Sequence, residues 1–303
     1  AYLIRRLKTL CPLMGKAKIA RSLARVGLHL GTTTVGRMLK AKQKPPRKHR
    51  RAAKSTGETS PRVVTAKYPN HLWHVDITVM PTSLGFWIPF LPAFALTQRW
   101  PFCWWIVTVV DHFSRRLMAT KAFRKEPTSR QVQAVLDEAA RAAGRHPRHL
   151  VSDKGVQFDC PDFERWCKSR DVRPRFGAIG KIGSIAVIER FFRSLKSECL
   201  RRLPLVPFRS ADLHAELSFY TEWYNEFRPH KALGGKTPNE AYFDRFPANR
   251  KPRFEPRSRW PRAGPCANPW ALVRGKPGAA IELNISFHHD RRHLPIVGIK
   301  VAS

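Results

Sequence analysis

The chain has 303 residues, and its 56 Lys and Arg against 22 Asp and Glu give a formal net charge of +34. With 43% hydrophobic and 11% aromatic residues, the composition is that of a packed protein of two or three domains and excludes a chain disordered throughout. Six cysteines without a Cys-x-x-Cys pair give almost no support to a zinc ribbon or a disulfide framework. The charge predicts a polyanionic partner, with nucleic acid first and a membrane surface as the rival.

The most apolar stretch of the sequence does not favour a membrane span. Leu84 to Leu96 is interrupted by Pro89 and Pro92 and is too short to cross a bilayer. The printed sequence does not open with a charged and then apolar secretory leader. We therefore expect a cytoplasmic protein that associates with the nucleoid when bound to DNA, and no membrane partner.

The N-terminal region, residues 1–42, is predicted to be a helix-turn-helix. Apolar residues at helical spacing predict a first helix over Ala17–Val26 and a second that begins at Thr32. The residues of the second helix that would approach base edges and phosphates are Thr33, Thr34 and Arg37. The alternative is a helical hairpin that packs on another domain and exposes a solvated basic face.

Residues 43–68 are predicted to form a basic linker. The run KQKPPRKHRRAAKSTGETS is charged, contains Pro and nearly lacks large apolar residues, which is typical of an extended linker. It could follow a phosphate backbone, act as a localisation signal or be a soluble spacer. Together with the helices, it makes residues 1–70 carry 18 basic residues and one acidic residue, which is half of the excess charge.

Strand patterns begin at residue 71. Over residues 72–79 apolar and polar side chains alternate, so that Asp76 projects from one face of a strand beside polar neighbours. Cys103–Val110 is an almost uninterrupted apolar run, typical of a central strand buried on both faces. Arg116–Phe123 is its predicted hairpin partner.

Helices and strands alternate in the next part of the sequence. Thr128–Ala143 is predicted to be an amphipathic helix, and Arg148–Ser152 a short strand that delivers Asp153 at its C-terminal end, where open α/β sheets place functional groups. Two further helices are predicted from Pro161 and from Ser184, with a short strand between them. The second of these helices carries three charged residues along one edge: Glu189, Arg193 and Lys196.

Three carboxylates, Asp76, Asp153 and Glu189, can converge above the predicted sheet. Hard divalent cations need several oxygen ligands, and two ions about 3.5–4 Å apart can activate an attacking oxygen while stabilising a leaving one. Arg193 and Lys196 would then hold phosphates of the scissile strand. The pattern therefore predicts phosphodiester chemistry.

Further motifs surround these carboxylates. Asp153 and Glu189 have 35 residues between them, and five motifs occur in order: WHVDIT at 73–78, VVDHFSR at 109–115, SDKGVQF at 152–158, ERFFRSLKSE at 189–198 and YNEFRPHKALGGKTPNEA at 224–241. They resemble the integrase-core family of transposases, the bacterial insertion-sequence relatives of retroviral integrases, whose signature is Asp, Asp, 35 residues and Glu. The resemblance covers about 71–245, with a weaker match in the N-terminal helices.

The resemblance implies an α/β, ribonuclease-H-like catalytic core, a mixed sheet flanked by helices, over residues 69–245. It implies two Mg²⁺ or Mn²⁺ ions, with Asp76, Asp153 and Glu189 as catalytic metal ligands. It also implies that Lys196, accompanied by Arg193, contacts DNA. The chain departs from many relatives in two places: GSIA at 183–186, and a Pro-rich insertion at 81–101 that could be a subunit contact or a cover for a sheet edge.

Several polar residues near the carboxylates have competing interpretations. Asp111 follows a buried strand and is interpreted as a turn cap, and His74 and His112 as structural groups, because Mg²⁺ prefers oxygen ligands. Lys154 and Gln157 could contact DNA or lie in a solvated loop. The aromatic residues of the 219–224 segment are interpreted as core packing.

Residues 246–303 are predicted to be a basic C-terminal region. It begins with the Pro-rich run NRKPRFEPRSRWPRAG and ends with two apolar runs, Ala280–Phe287 and Leu294–Val301. These runs are predicted strands of a small β module, for which a small β-barrel is one form.

The leading hypothesis from the sequence is a metal-dependent DNA transposase. It would cleave double-stranded DNA at element ends and join the freed 3′-OH to target DNA, acting as a homo-oligomer on DNA without a nucleotide cofactor. A catalytically silent, DNA-binding remnant of a transposase is the alternative. A nuclease restricted to RNA in hybrids would share the fold but would leave the basic N-terminal region without a purpose.

Overall fold

The structure is a computed structural model. It describes residues 2–12, 14–40, 65–82, 100–177, 186–203, 206–247 and 281–301. Most of the predicted linker and of the 81–101 insertion, and residues 183–185 of the GSIA segment, lie outside the described residues.

The described residues contain eight α-helices and seven strands. In chain order they are α1 (Tyr2–Leu10), α2 (Lys16–Arg25), α3 (Thr32–Lys40), β1 (Leu72–Pro81), β2 (Cys103–Asp111), β3 (Leu117–Phe123), α4 (Ser129–Ala143), β4 (His149–Ser152), α5 (Pro161–Ser169), β5 (Arg173–Phe176), α6 (Ala186–Glu198), α7 (Ser210–Glu226), α8 (Pro238–Tyr242), β6 (Ile281–Phe287) and β7 (Pro295–Val301). The predicted helices and strands of residues 72–198 all occur within a few residues of their expected bounds.

The chain divides into two compact units. One contains residues 1–60, 228–236 and 246–303, and the other contains residues 61–227 and 237–245. The first unit thus joins the N-terminal and C-terminal regions, which the sequence analysis treats as separate domains.

A five-stranded sheet organises the second unit, in the order β3-β2-β1-β4-β5. β1 pairs antiparallel with β2, and β2 with β3, whereas β1 pairs parallel with β4, and β4 with β5. One face packs on α4 and α5 through a cluster that includes Trp73, Val135 and Phe163. This mixed sheet flanked by helices is the ribonuclease-H-like arrangement, and it confirms the predicted fold class.

Helix α7 covers the edge strand β3. The Asn225 side chain accepts a hydrogen bond from the Leu117 amide at 2.9 Å and donates one to the Leu117 carbonyl at 3.0 Å. The His214 Nε2 atom accepts a hydrogen bond from the Ala122 amide at 3.1 Å. These side chains satisfy backbone groups that an edge strand would otherwise leave open. On the same helix Tyr220, Trp223 and Tyr224 are buried, which confirms the predicted core role of these aromatics.

The first unit has its own apolar core. Residues of α1, α2 and α3 form one cluster with residues of the β6–β7 hairpin, among them Leu7, Leu23, Val35 and Leu283. Helix α1 is absent from the sequence prediction, whereas α2 and α3 agree with the two predicted helices. The predicted C-terminal strands pair as an antiparallel hairpin, and residues that could extend it into a barrel lie outside the described ones.

In the part of the chain that the structure describes, no helix has the length and apolarity that crossing a bilayer requires.

Candidate active site

The first two predicted carboxylates lie where β1 and β4 separate. The two parallel strands pair at Leu72 with His149 and at His74 with Val151. Continued by two residues, the same register places Asp76 beside Asp153, on the sheet face opposite the one covered by α4 and α5. β4 ends at Ser152, so this position is an opening between strands. Open sheets place functional groups at such strand ends.

Asp76 is half-buried on a strand in the middle of the sheet. Its carboxylate accepts a hydrogen bond from the Ile77 amide at 2.7 Å. Burial raises the pKa of Asp76 to about 7, and the negative charges of Asp153 and Glu189 add to this increase. The Ile77 hydrogen bond and the positive charge of Lys196 oppose it. Asp153 and Glu189 therefore both lie within electrostatic reach of Asp76.

A tight loop after β4 holds Asp153. The Asp153 carboxylate accepts a hydrogen bond from the Gly155 amide at 3.2 Å. A Cβ atom at Gly155 would lie 3.0 Å from Gln157 Oε1 and 3.2 Å from Asp153 Oδ1, so both side chains would have to move by a few tenths of an ångström to accept it. Gln157 is buried and donates a hydrogen bond to Glu126 at 2.7 Å. Gln157 thus anchors the loop, an arrangement that its position in the sequence did not reveal.

Helix α6 carries Glu189 in its first turn. The apolar stripe of this helix is buried at Ile188, Phe192 and Leu195, as predicted, and the helix contacts β1. This packing leaves Glu189 exposed, within electrostatic reach of Asp76. The structure therefore places a carboxylate from a strand end and one from a helix within electrostatic reach of Asp76, but the oxygen atoms of the three do not all lie within 4.8 Å of one another.

The predicted DNA contacts near the carboxylates lie on accessible parts of the core. Lys196 follows Glu189 by two helical turns, is half-buried and acts electrostatically on Asp76. Arg193, between them, is exposed, and Lys154 is exposed on the loop after β4. Their contacts with DNA remain predictions.

Asp111 is a structural carboxylate, as the sequence analysis proposed. It is fully buried and accepts hydrogen bonds from the Asn70 amide at 2.9 Å, the Ser114 amide at 2.8 Å and the Ser114 hydroxyl at 2.6 Å. These contacts fix the turn between β2 and β3.

Two buried histidines form a pair beside the sheet. His74 Nε2 lies 2.7 Å from His112 Nδ1, and the rings stack with centroids 5.0 Å apart. Burial lowers the pKa of His74 to about 3 and that of His112 to about 4. Both imidazoles are therefore neutral near pH 7, which agrees with the structural interpretation.

The structure separates the three predicted DNA contacts of α3. Thr33 and Arg37 are exposed, so their assignment as DNA contacts remains a prediction. Thr34 is buried, with 6% of its surface exposed. It precedes Met38 by four residues and so shares the face of α3 that packs into the core. The prediction that Thr34 contacts base edges is therefore wrong, because its side chain is buried in the core.

Comparison with known protein families matches the region that contains the carboxylates. Two family models described as "Integrase core domain" match residues 66–181 and 170–238, and together they span more than half of the chain. The chain belongs to the integrase-core transposase family. The predicted resemblance is confirmed.

Three of the proteins similar to this integrase-core chain are named for insertion sequences or insertion elements. The chain is 26% identical over 246 residues to the putative transposase InsK for insertion sequence element IS150 of Escherichia coli, covering 76% of this chain and 79% of that protein. It is 25% identical over 178 residues to transposase InsF for insertion sequence IS3A of Escherichia coli, covering 58% and 54%. A 31.7 kDa protein of insertion element IS407 from Burkholderia multivorans is 27% identical over 172 residues, covering 57% and 55%. The matches thus span about half the length of the latter two relatives.

Solved structures similar to this integrase-core chain include two retroviral integrase structures. The HTLV-2 integrase catalytic core domain in complex with magnesium aligns with a TM-score of 0.43 at 20% identity, covering 58% of this chain and 97% of that one. The simian T-cell lymphotropic virus intasome aligns with a TM-score of 0.49 at 18% identity, covering 93% and 81%.

Proposed function

We propose that this protein is a metal-dependent DNA transposase that cleaves element ends and transfers the freed 3′-OH strand into target DNA. The observation that carries the proposal is the β1–β4 register, which places Asp76 beside Asp153 at a strand opening, with Glu189 of α6 in electrostatic reach. Family membership supports this class of reaction, and the three carboxylates are the residues that we propose perform it.

The donor chemistry of the three carboxylates suits a divalent-metal site. All of their donors are hard oxygens, which suit Mg²⁺ or Mn²⁺. Asp76 is a half-buried carboxyl group whose pKa is raised to about 7 because burial and neighbouring acids outweigh the positive charge of Lys196. Added positive charge at this position would stabilise its ionised form. We propose Asp76, Asp153 and Glu189 as the ligands of two ions, which when bound would stabilise the charge that develops on the attacking and leaving oxygens.

Residues of the chain would position the DNA around this centre. Arg193 and Lys196 extend from Glu189 along α6, and Lys154 lies on the loop after Asp153, so their charges can hold phosphates on either side of the reacting one. Attack by water or by a 3′-OH in line with the leaving oxygen needs alignment and charge stabilisation and does not need a nucleophilic side chain. We propose that no nucleotide cofactor takes part.

We propose that duplex DNA is the partner of the first unit as well. Thr33 and Arg37 lie exposed on the second helix of the predicted helix-turn-helix, in a region where basic residues far outnumber acidic ones. Joining one element to a target involves two ends, so we propose a homo-oligomer assembled on DNA, in the cytoplasm and at the nucleoid.

A strand-transfer assay tests the proposed function. Purified protein is incubated with duplexes carrying candidate element ends and target DNA, with Mg²⁺ or a chelator, and an RNA–DNA hybrid serves as the competing substrate. We expect joined DNA products with Mg²⁺, none with the chelator, and DNA binding without product from Glu189→Gln. Strand transfer by Glu189→Gln at the wild-type rate would refute the site. DNA binding without product from the wild-type chain would instead identify a silent remnant.

A further inference from the structure

A basic groove lies at the other end of the strands that carry the carboxylates. It has a volume of about 690 Å³ and is formed where α4 and α5 end and β4 and β5 begin. Its lining includes Arg145, Arg148 and Arg173, together with the exposed ring of Tyr68. None of these residues belongs to the motifs that identify the family.

The positive charge of the groove is available to a ligand. Arg145, Arg148 and Arg173 are exposed, and none of them pairs with a carboxylate among the described residues. Arg170 also lines the groove, but Asp137 accepts hydrogen bonds from it at 2.8 and 3.0 Å, so its role is structural. Asp171 is the one carboxylate in the lining, so these three exposed arginines outnumber the acids of the groove. Guanidinium groups match phosphate geometry well.

Aromatic rings form one wall beside these arginines. Tyr68 and His71 have ring centroids 4.8 Å apart, and His71 meets His149 edge to face at 5.3 Å. Burial lowers the pKa of His71, and the positive charges of Arg148, Lys67 and Arg175 lower it further. The His71 ring is therefore neutral near pH 7, while the surrounding potential is positive. Cations interleaved with flat rings are typical of nucleic-acid surfaces.

Arg173 of the groove, and Arg175 between it and the carboxylates, lie on the sheet face that carries Asp76 and Asp153. Across the parallel strands Leu72 pairs with His149 and His149 with Arg173, and two residues further along Val151 pairs with Arg175. Side chains of paired residues point to the same face, and two residues further along β1 and the end of β4 that face carries Asp76 and Asp153. Four residues separate His149 from Asp153, or about 13 Å at about 3.3 Å per residue. That distance corresponds to about four base-pair steps of duplex DNA at about 3.4 Å each.

We propose that this groove is a second backbone-binding site for duplex DNA, which holds phosphates of the segment that runs from the carboxylates across β5. The inference rests on the proposed function, because it assumes that DNA lies at the carboxylates. Arg175 and Arg173 would contact the intervening phosphates, and Arg148 and Arg145 those in the groove. The DNA could be an element end or a target, since both offer the same phosphodiester backbone.

The salt dependence of DNA binding tests this proposal on the full chain. The alanine variant carries Arg145→Ala, Arg148→Ala and Arg173→Ala. A matched control removes three exposed cations of α4 and α5 that do not line the groove, Arg130, Arg141 and Lys168. A third variant carries Arg145→Lys, Arg148→Lys and Arg173→Lys, which keeps the positive charge of the groove. Affinity for a fluorescent duplex of about 30 base pairs is measured by anisotropy over a salt series without divalent metal, once with an arbitrary sequence and once with a candidate element end.

The logarithm of affinity falls with the logarithm of salt concentration, and each phosphate contact makes this slope steeper by about 0.9. Loss of three contacts should therefore make the slope of the alanine variant shallower by about 2 to 3. The matched control and the lysine variant should keep most of the wild-type slope. A loss on the arbitrary duplex would assign the groove to target DNA, and a loss confined to the element end would assign it to that end. Thermal melting of each variant shows whether it is folded.

If the alanine variant keeps the wild-type slope and affinity on both duplexes, the groove is not a DNA-binding site. The same conclusion follows if the control variant loses as much as the alanine variant, because the effect would then reflect net charge alone. If strand transfer by the wild-type chain persists in either case, the proposed function stands without the groove. A wild-type chain that binds no duplex at low salt would overturn both.

Discussion

Two aspartates on the same sheet show how side-chain surroundings decide a role. Asp111 accepts three hydrogen bonds in a closed turn, whereas Asp76 accepts one from the following amide and lies near two other acids. The turn pattern after β2 and the spacing between Asp153 and Glu189 were enough to separate these roles from the sequence. The β1–β4 register that places Asp76 beside Asp153 depends on contacts between distant residues, which no local pattern records.

The buried histidine pair predicts a loss of stability in acid. The pKa of folded His112 is about 4, below its ordinary value of 6.5. In the unfolded chain His112 takes up a proton as the pH falls through 6.5, whereas in the folded chain it does so only near pH 4. The neutral His112 therefore makes its full contribution to folding stability above pH 6.5, and this contribution is lost as the pH falls towards 4. For His112→Asn, whose amide can still face His74 but does not titrate, we expect this loss to be smaller by about 1 to 3 kcal/mol. Urea unfolding near pH 7 and about pH 4.5, with chelator, measures the difference. Equal acid losses in both proteins would contradict the assignment.

The loop after β4 predicts a sensitive glycine. In Gly155→Ala the new Cβ atom would lie 3.0 Å from Gln157 Oε1 and 3.2 Å from Asp153 Oδ1, so these two side chains must move by a few tenths of an ångström. We expect strand transfer to slow by about 2- to 10-fold, because the rate of an aligned reaction falls when a positioning group is displaced, by about 100-fold for a full ångström. Gly15→Ala is the control, since its Cβ atom would have no neighbour within 4 Å. Single-turnover rates for both variants provide the test, and an unchanged rate in Gly155→Ala would show that the loop does not position Asp153.

Among the elements, α7 has a role that its sequence did not indicate. Its aromatic residues predicted a buried helix, but Asn225 and His214 also complete the hydrogen bonding of the β3 edge. Polar residues inside a helix are usually assigned to solvent, and their partners lie about 100 positions away in the chain. The sequence therefore indicated the burial of α7 but not its pairing with a strand.

Replacing Asn225 tests this pairing. Asn225→Leu keeps the side-chain size but leaves the Leu117 amide and carbonyl without partners in a buried place, which should cost about 2 to 4 kcal/mol of unfolding free energy. Ser218→Ala, on the exposed side of the same helix, should change it by less than about 0.5 kcal/mol. Chemical denaturation of both variants measures these differences. A result for Asn225→Leu within the range of the control would contradict the role of α7.

Apolar periodicity was the signal that made individual elements predictable from the sequence. The stripe of α4 and the continuous apolar run of β2 are local signals, and both elements occur where expected. Helix α1 was not predicted, although Leu3, Leu7 and Leu10 have the i, i+4, i+7 spacing of one helix face. The burial of Thr34 could have been anticipated from its four-residue separation from Met38.

At the scale of the whole molecule, the net charge of +34 is distributed unevenly along the chain and over the core. Basic residues dominate the first 70 positions, and the more balanced core still collects exposed arginines in one groove. Those arginines come from separate loops and strand starts, so their convergence follows from the parallel order of β4 and β5. The shared core of the N-terminal helices and the C-terminal hairpin joins residues more than 200 positions apart. Neither feature has a local sequence signal.

Single-turnover strand transfer by four matched variants tests the central claim most directly. Asp76→Asn, Asp153→Asn and Glu189→Gln each remove one proposed ligand, and Asp159→Asn removes an exposed carboxylate six residues after Asp153. With Mg²⁺ and an element-end duplex, we expect the first three to lose product by about 1,000-fold or more while still binding DNA, and Asp159→Asn to match the wild type. Wild-type product from any of the first three variants would contradict the three-carboxylate centre.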